Sequence, residues 1–270
     1  MKNFVSILQS VESICDKEVY RSSDFGIEFG TFAPDKIKAT NIKGIIVSPF
    51  VNLKLIHYMN ENKSNLAITG LPLPFTDNSF PLSERDFEMM KSLITNNLRT
   101  ISLSKKWIYS PNGGITYFLQ TLGITKIDHS NINLISGKTL NSWSIPDIKF
   151  HDFLASLTHL TKDWLAYSLA PEDVEMSFVL EKQTLTDSEL REIKNEGISN
   201  IVGFAIDSRK IHSYRKHKMN FLFIPFIDFY NISLRKFSQV LQLETNEKVL
   251  FYAQTEAKWL NYQNIQNKSI

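Results

Sequence analysis

Cysteine is almost absent from this chain of 270 residues, which contains only Cys15. A single cysteine cannot form an intramolecular disulfide, so the sequence excludes a disulfide-stapled domain, and we expect a cytoplasmic protein. Long hydrophobic runs are lacking too. The most apolar segment, residues 221–229, contains Pro225 and Asp228 and is far shorter than the roughly 18 apolar residues of a membrane span. We therefore expect no membrane partner.

A large excess of charge of either sign is also lacking. Lys and Arg number 30 against 28 Asp and Glu, which leaves a formal net charge of +2. So small a charge gives no general attraction to nucleic acid, and any electrostatic partner must be predicted from a local cluster. Apolar residues at 43% and charged residues at 21% are typical of a folded globular chain and exclude disorder as the main state.

Short apolar runs alternate with amphipathic segments, and this alternation occurs twice along the chain. Parallel strands need helical crossovers, so the pattern predicts an α/β fold of two lobes with mixed, mostly parallel sheets. Strands are expected at residues 44–47, 66–69, 100–103, 176–180, 200–205, 220–224 and 248–252.

The same pattern suggests how the chain is divided. We expect a first α/β lobe over residues 1–124, an irregular connecting segment over 125–172, a second α/β lobe over 173–253 and a polar tail over 254–270. A good capping box, Thr186-Asp187-Ser188-Glu189, predicts a helix start in the second lobe.

Two catalytic motifs are only partly present, because each lacks a required glycine. The segment Ser136-Gly137-Lys138-Thr139 lacks the earlier glycine of a phosphate-binding loop, because residue 132 is isoleucine. A nucleophile elbow around Ser199 would need glycine at position 201, which is also isoleucine. Neither a phosphate-loop nucleotidase nor a serine hydrolase is predicted.

The serial order of several weaker motifs resembles one family. Residues 23–30 (SDFGIEFG) look like an early "D-N-x-G-L-x-x-G" segment, and residues 66–75 lie where a strand ends in "T-H-H-P-L-x-F". Residues 112–123 are similar to a "G-G-V-N…L-G" helix entry, and residues 197–203 to a "G-A-D-x-x-I-T-G" strand. Over residues 1–252 the chain thus resembles the Nif-three-like proteins, also called dinuclear metal centre hexameric proteins or type 2 homologs of GTP cyclohydrolase.

The resemblance implies a metal centre whose ligands are missing here. In the family, two adjacent histidines, a later Asp, and a His and a Glu from the second lobe hold two divalent metal ions. The paired histidines correspond to Gly70 and Leu71, the Asp to Tyr109, and the late motif falls around Phe226, where Asp228 is the only acid. Glycine and leucine cannot ligate a metal. We predict former metal-site positions at Gly70, Leu71, Tyr109 and Phe226, with no catalytic residue, metal or cofactor.

Loss of the ligands favours a non-catalytic binding or scaffolding role. The resemblance implies a homo-oligomer, a hexamer, and the role implies a protein partner. Two alternatives stay open at this point. One is a metal-dependent hydrolase with relocated ligands, and the other is a nucleic-acid-binding protein that uses the basic segment 209–218.

Two segments provide candidate contacts for an anion or a nucleic acid. The first lies at the mouth of the former metal cleft, which is either an aromatic-lined pocket or filled by apolar side chains. The second interleaves five basic residues with Tyr214, a composition able to bind phosphates and stack on an unpaired base. The candidates are Lys105, Lys106, Trp107, Arg209, Lys210, Arg215, Lys216 and Lys218.

Overall fold

The computed structural model describes residues 3–15, 26–30, 34–73, 83–103, 105–161, 163–170, 173–181, 185–205 and 208–255. Two mixed β-sheets form its framework. The strands are β1 (Gly26–Phe29), β2 (Ile45–Ser48), β3 (Leu66–Thr69), β4 (Arg99–Ser102), β5 (Asp128–Asn133), β6 (Thr139–Lys149), β7 (Leu165–Tyr167), β8 (Glu175–Leu180), β9 (Asn200–Gly203), β10 (Asn220–Phe223) and β11 (Val249–Phe251).

Helices cover both faces of the sheets and make the crossovers. None in the described part of the chain is both long and apolar enough to cross a membrane. The helices are α1 (Phe4–Ile14), α2 (Pro34–Ala39), α3 (Leu53–Glu61), α4 (Glu84–Thr95), α5 (Gly114–Thr121), α6 (Phe150–Thr158), α7 (Asp187–Asn195), α8 (Ser208–Lys216) and α9 (Phe226–Thr245), with a 3₁₀ helix at Lys105–Tyr109.

The first sheet has the strand order β1-β4-β3-β2-β11. Strands β11, β2, β3 and β4 run parallel, and β1 pairs antiparallel with β4. Residues of β2 alternate between two apolar clusters: Ile45 and Val47 contact one, and Ile46 contacts the other with α3 and α4. Burial of both faces explains why these strands are continuous apolar runs.

The second sheet has the order β5-β6-β8-β9-β10-β7. Strands β8, β9 and β10 are parallel, and the outer strands join antiparallel. One face packs on α7 and α8, while the other contributes Trp143 and Phe178 to the same main core as the first sheet. The two sheets therefore share one continuous core.

The fold class and all seven predicted strands are confirmed, but the strand order differs from the predicted division of the chain. The last strand, β11, pairs with β2 in the first sheet, although it was assigned to the lobe 173–253. Within the supposedly irregular segment 125–172, β5 and β6 form a regular antiparallel pair. Strand β5 is mostly exposed and polar, so it lacks the apolar pattern that reveals a strand. Most of the predicted tail lies outside the described residues.

Helix α7 confirms the predicted capping box and shows what the segment 136–139 does. The backbone N–H of Glu189 donates to the Thr186 hydroxyl, and the Glu189 carboxylate accepts from the Thr186 N–H at 2.9 Å. The same carboxylate accepts from Ser136 Oγ at 2.7 Å and lies 2.8 Å from Lys138 Nζ. The predicted absence of a phosphate loop fits this geometry, because these residues form the β5–β6 turn and bind a carboxylate.

Replacing Glu189 tests this network through pH. Hydrogen bonds to the Glu189 carboxylate lower its pKa from 4.5 to about 2; the bond from the Lys138 ammonium has the largest effect, and the bond from the Thr186 N–H is second. Because this pKa is lower in the folded state, the ionised carboxylate contributes its full stabilisation above pH 4.5. That stabilisation is lost as the pH falls through about 2. We expect Glu189→Gln to flatten the pH dependence of the unfolding free energy in that window and to cost about 1 kcal/mol at pH 7.

Urea unfolding at a series of pH values measures both effects. The exposed Glu196, which follows the same helix, provides a matched control as Glu196→Gln. Equal slopes for wild type and Glu189→Gln between pH 4.5 and 2 would contradict the assignment.

Candidate functional site

The carboxyl end of β3 meets helix α9 at Gly70. A Cβ atom built on Gly70 would lie 2.2 Å from Cε1 of Tyr230 and 2.5 Å from its Cδ1, so only glycine fits. The Tyr230 hydroxyl donates to the Gly70 carbonyl at 3.3 Å, and both residues are buried. The volume beside this predicted former ligand position is therefore occupied by a phenol ring.

Further aromatic rings surround Tyr230. The Phe226 ring packs edge-on at 4.6 Å between centroids, and the Trp107 ring is stacked at 6.5 Å. Trp107 also packs against Phe237 at 5.7 Å. We call Trp107, Phe226, Tyr230 and Phe237 the aromatic cluster. Together they supply the apolar filling that was one of the two interpretations of this cleft.

The other two predicted former ligand positions are Leu71 and Tyr109. Leu71 is half-buried and packs on the main core. Burial raises the pKa of Tyr109, and burial together with the nearby Tyr109 raises the pKa of Tyr230. Both phenols are therefore neutral at physiological pH, and neutral phenols are poor ligands for divalent cations.

The remaining acid near these positions already has a partner. Asp228 accepts a hydrogen bond of 2.7 Å from the Thr161 hydroxyl. Over the described ranges, no three His, Cys, Asp or Glu side chains come together as a metal site would require. The side chains at Gly70, Leu71, Tyr109 and Phe226 do not fit a pair of divalent ions, because they offer at most one neutral oxygen.

The predicted anion contacts beside the cleft are separated by the fold. Trp107 has no exposed surface, so its predicted contact with a ligand is wrong: the ring packs inside the protein. Lys106 is exposed. Lys105 begins the 3₁₀ helix, and its side chain lies outside the described part of the structure.

The basic segment 209–218 is partly neutralised by acids. Lys210 Nζ lies 3.1 Å from Glu181, and Lys216 Nζ donates to Asp187, whose pKa it lowers to about 2. Tyr214 is buried, and its hydroxyl donates to Glu181 at 2.8 Å, so the expected stacking on a base is also wrong. The exposed basic residues of the segment are Arg209, Arg215, Lys216 and Lys218.

The sequence analysis missed one carboxylate, which lies on the first sheet near the carboxyl end of β4. Glu28 of β1 accepts from the Ser102 hydroxyl and from the Leu73 N–H, each at 2.8 Å, and burial raises its pKa. An acid inside an apolar strand was the available signal. Both hydrogen bonds hold the strand ends and the loop after β3, which indicates a structural role.

Gly70→Ala tests the packing of Tyr230. We expect a loss of about 1–3 kcal/mol in the free energy of unfolding, because the added methyl group would overlap the ring. In a Tyr230→Ala background the same change should cost much less, since the ring is gone. Urea unfolding of the four proteins measures the coupling, and an equal cost in both backgrounds would show that the ring does not occupy this space.

A scan against protein-family models finds no match to this chain, and a search of curated proteins finds none either. Solved structures do match. Reduced HcgD from Methanocaldococcus jannaschii superposes with a TM-score of 0.72 at 13% identity, covering 93% of this chain and 97% of that one. The protein ybgI, of unknown function, gives 0.72 at 14%, covering 95% and 99%. A Bacillus cereus protein related to NIF3 gives 0.70 at 9%, covering 96% and 99%. The chain therefore has the fold of the NIF3-like proteins.

Proposed function

We propose that this chain is a non-catalytic binding or scaffolding protein, in which aromatic packing replaces the dinuclear metal centre that the resemblance implies. The position of the Tyr230 ring against Gly70 carries the proposal. A ring in van der Waals contact with the backbone leaves no room for a ligand side chain or an ion at that point.

Electrostatics supports the same proposal. Two divalent ions about 4 Å apart repel each other by roughly 16 kcal/mol at an effective dielectric constant of about 20. Several anionic ligands must offset that repulsion. The cleft has Asp228 as its acid in residues 223–234, and Asp228 is bound to Thr161. One carboxylate cannot hold such a pair.

A scaffolding role needs surfaces for other chains. On α4, Phe87 and Ile94 are seven residues apart on one face, and their side chains are 56% and 63% exposed. Exposed large apolar side chains at helical spacing are typical of interface residues. We propose that this face of α4 contributes to a homo-oligomer, a hexamer as the resemblance implies, or to contact with a protein partner.

Metal analysis tests the loss of the centre. For protein purified without chelators, we expect no stoichiometric zinc, iron or manganese, and no rise in unfolding temperature on addition of zinc. Chelator-treated protein serves as the control. About two bound ions per chain would contradict the proposal and favour a metal-dependent hydrolase with relocated ligands.

Light scattering tests the oligomer. We expect a mass near six times the 31.1 kDa of one chain, and a lower mass for the double variant Phe87→Ser, Ile94→Ser. Leu243→Ser is the matched control, because Leu243 is 83% exposed and lies on α9. A monomer at micromolar concentration would contradict the scaffold proposal, and an unchanged mass in the double variant would exclude the α4 face.

A further inference from the structure

A polar cavity of about 280 Å³ lies at the amino ends of the parallel strands of the first sheet. This is the edge opposite to Gly70, which follows the carboxyl end of β3. Lys43 precedes β2, Asn65 precedes β3, and Arg99 is the first residue of β4. Thr40, Asn41 and Asn97 add a hydroxyl and two amides to the lining.

The charged side chains of this cavity are both cationic. Lys43 and Arg99 line it, no lining residue is acidic, and neither forms an ion pair within the described ranges. Helices α2 and α4 end beside the cavity, and each C-terminus contributes at most about half a negative charge. Two full positive charges exceed that sum, so the cavity attracts anions.

Arg99 is held in place before any ligand binds. Its aliphatic part packs on Gly30, where an added Cβ would lie 2.9 Å from Arg99 Cγ, and its Nη1 donates to the Asn97 carbonyl at 3.1 Å. Its Nε is buried and has no acceptor in the described structure. The guanidinium therefore keeps hydrogen-bonding capacity that no acceptor in the described structure uses, and such groups form strong charge-assisted bonds with oxyanions.

The amide of Asn65 organises the floor of the cavity. Its Oδ1 accepts from the backbone N–H of Lys43 at 2.8 Å, and its Nδ2 donates to the Asn41 carbonyl at 3.0 Å. These bonds fix the backbone that carries Lys43, while the lysine side chain itself is exposed. The backbone that carries Lys43 and the side chain of Arg99 are thus ordered before binding, which reduces the entropic cost of binding an anion.

We propose that this cavity binds a phosphate group, either free or as a small phosphate monoester. Phosphate carries between one and two negative charges at neutral pH, which the two cations can match. The cavity is larger than one phosphate ion, and the side-chain amide of Asn97 suits a hydroxyl group on the organic part of a monoester. The site is independent of the proposed scaffold function, because it lies at the other edge of the sheet.

Equilibrium dialysis of the full chain against radiolabelled inorganic phosphate, at constant ionic strength, tests the proposal. We expect one saturable site per chain. Lys43→Gln and Arg99→Gln should each weaken binding by about tenfold, the usual size of one lost charge contact. Lys126→Gln is the matched control, since Lys126 is exposed and does not line the cavity, and its affinity should equal that of wild type.

Competition by unlabelled ribose 5-phosphate then separates the two sources of the phosphate group. Displacement at a lower concentration than unlabelled phosphate requires indicates a monoester, and weaker displacement indicates free phosphate. Lys43 makes no side-chain contact that the fold needs, so Lys43→Gln keeps the test valid even if Arg99→Gln unfolds. The absence of saturable binding, or equal affinity in wild type and Lys43→Gln, would overturn the proposal.

Discussion

The contact of the Tyr230 ring with the backbone of Gly70 sets the arrangement of the rest of the molecule. Helix α9 has 20 residues, about 30 Å of helix, and joins the last strand of the second sheet to the last strand of the first. Its buried face packs on α1, α5 and β2. Because Gly70 has no side chain, the Tyr230 ring of α9 can pack against the backbone that follows β3, inside the core that both sheets share.

The two ends of the first sheet differ in their charged groups, although each has a buried donor without a partner in the described structure, Trp107 Nε1 at the carboxyl end and Arg99 Nε at the amino end. At the carboxyl end, Gln254 donates to Ser48 Oγ at 3.0 Å, Glu28 accepts from Ser102, and Tyr230 donates to Gly70. At the amino end, Arg99 keeps a buried donor without an acceptor, and no acid is among the described residues that line the cavity with Lys43. Satisfied groups stabilise the fold, whereas unsatisfied cations favour a ligand. We therefore expect a ligand to bind at the amino end of the sheet and not at the carboxyl end, where the resemblance places the metal centre.

Acids on neighbouring elements limit the charge of the second sheet's basic segment. Glu181 follows β8 and pairs with Lys210, while Asp187 begins α7 and pairs with Lys216. Lys138 is bound in the same way by Glu189. Each pair joins residues that are far apart in sequence. Charge clusters counted along the chain therefore overstate the positive field that the folded surface presents.

Local patterns in the sequence determined the helices, the apolar strands and the cap at Thr186, because these features depend on residues within about four positions of one another. The family resemblance, not a local pattern, predicted the former metal-site positions Gly70, Leu71, Tyr109 and Phe226, and the residue types exclude side-chain donor atoms at three of them. Tertiary structure alone decided that β11 joins the first sheet, that Trp107 and Tyr214 are buried, and that Tyr230 occupies the cleft. The physical reason is that strand pairing, burial and hydrogen bonding join residues more than 200 positions apart, as between Gln254 and Ser48, and no local pattern records such distances.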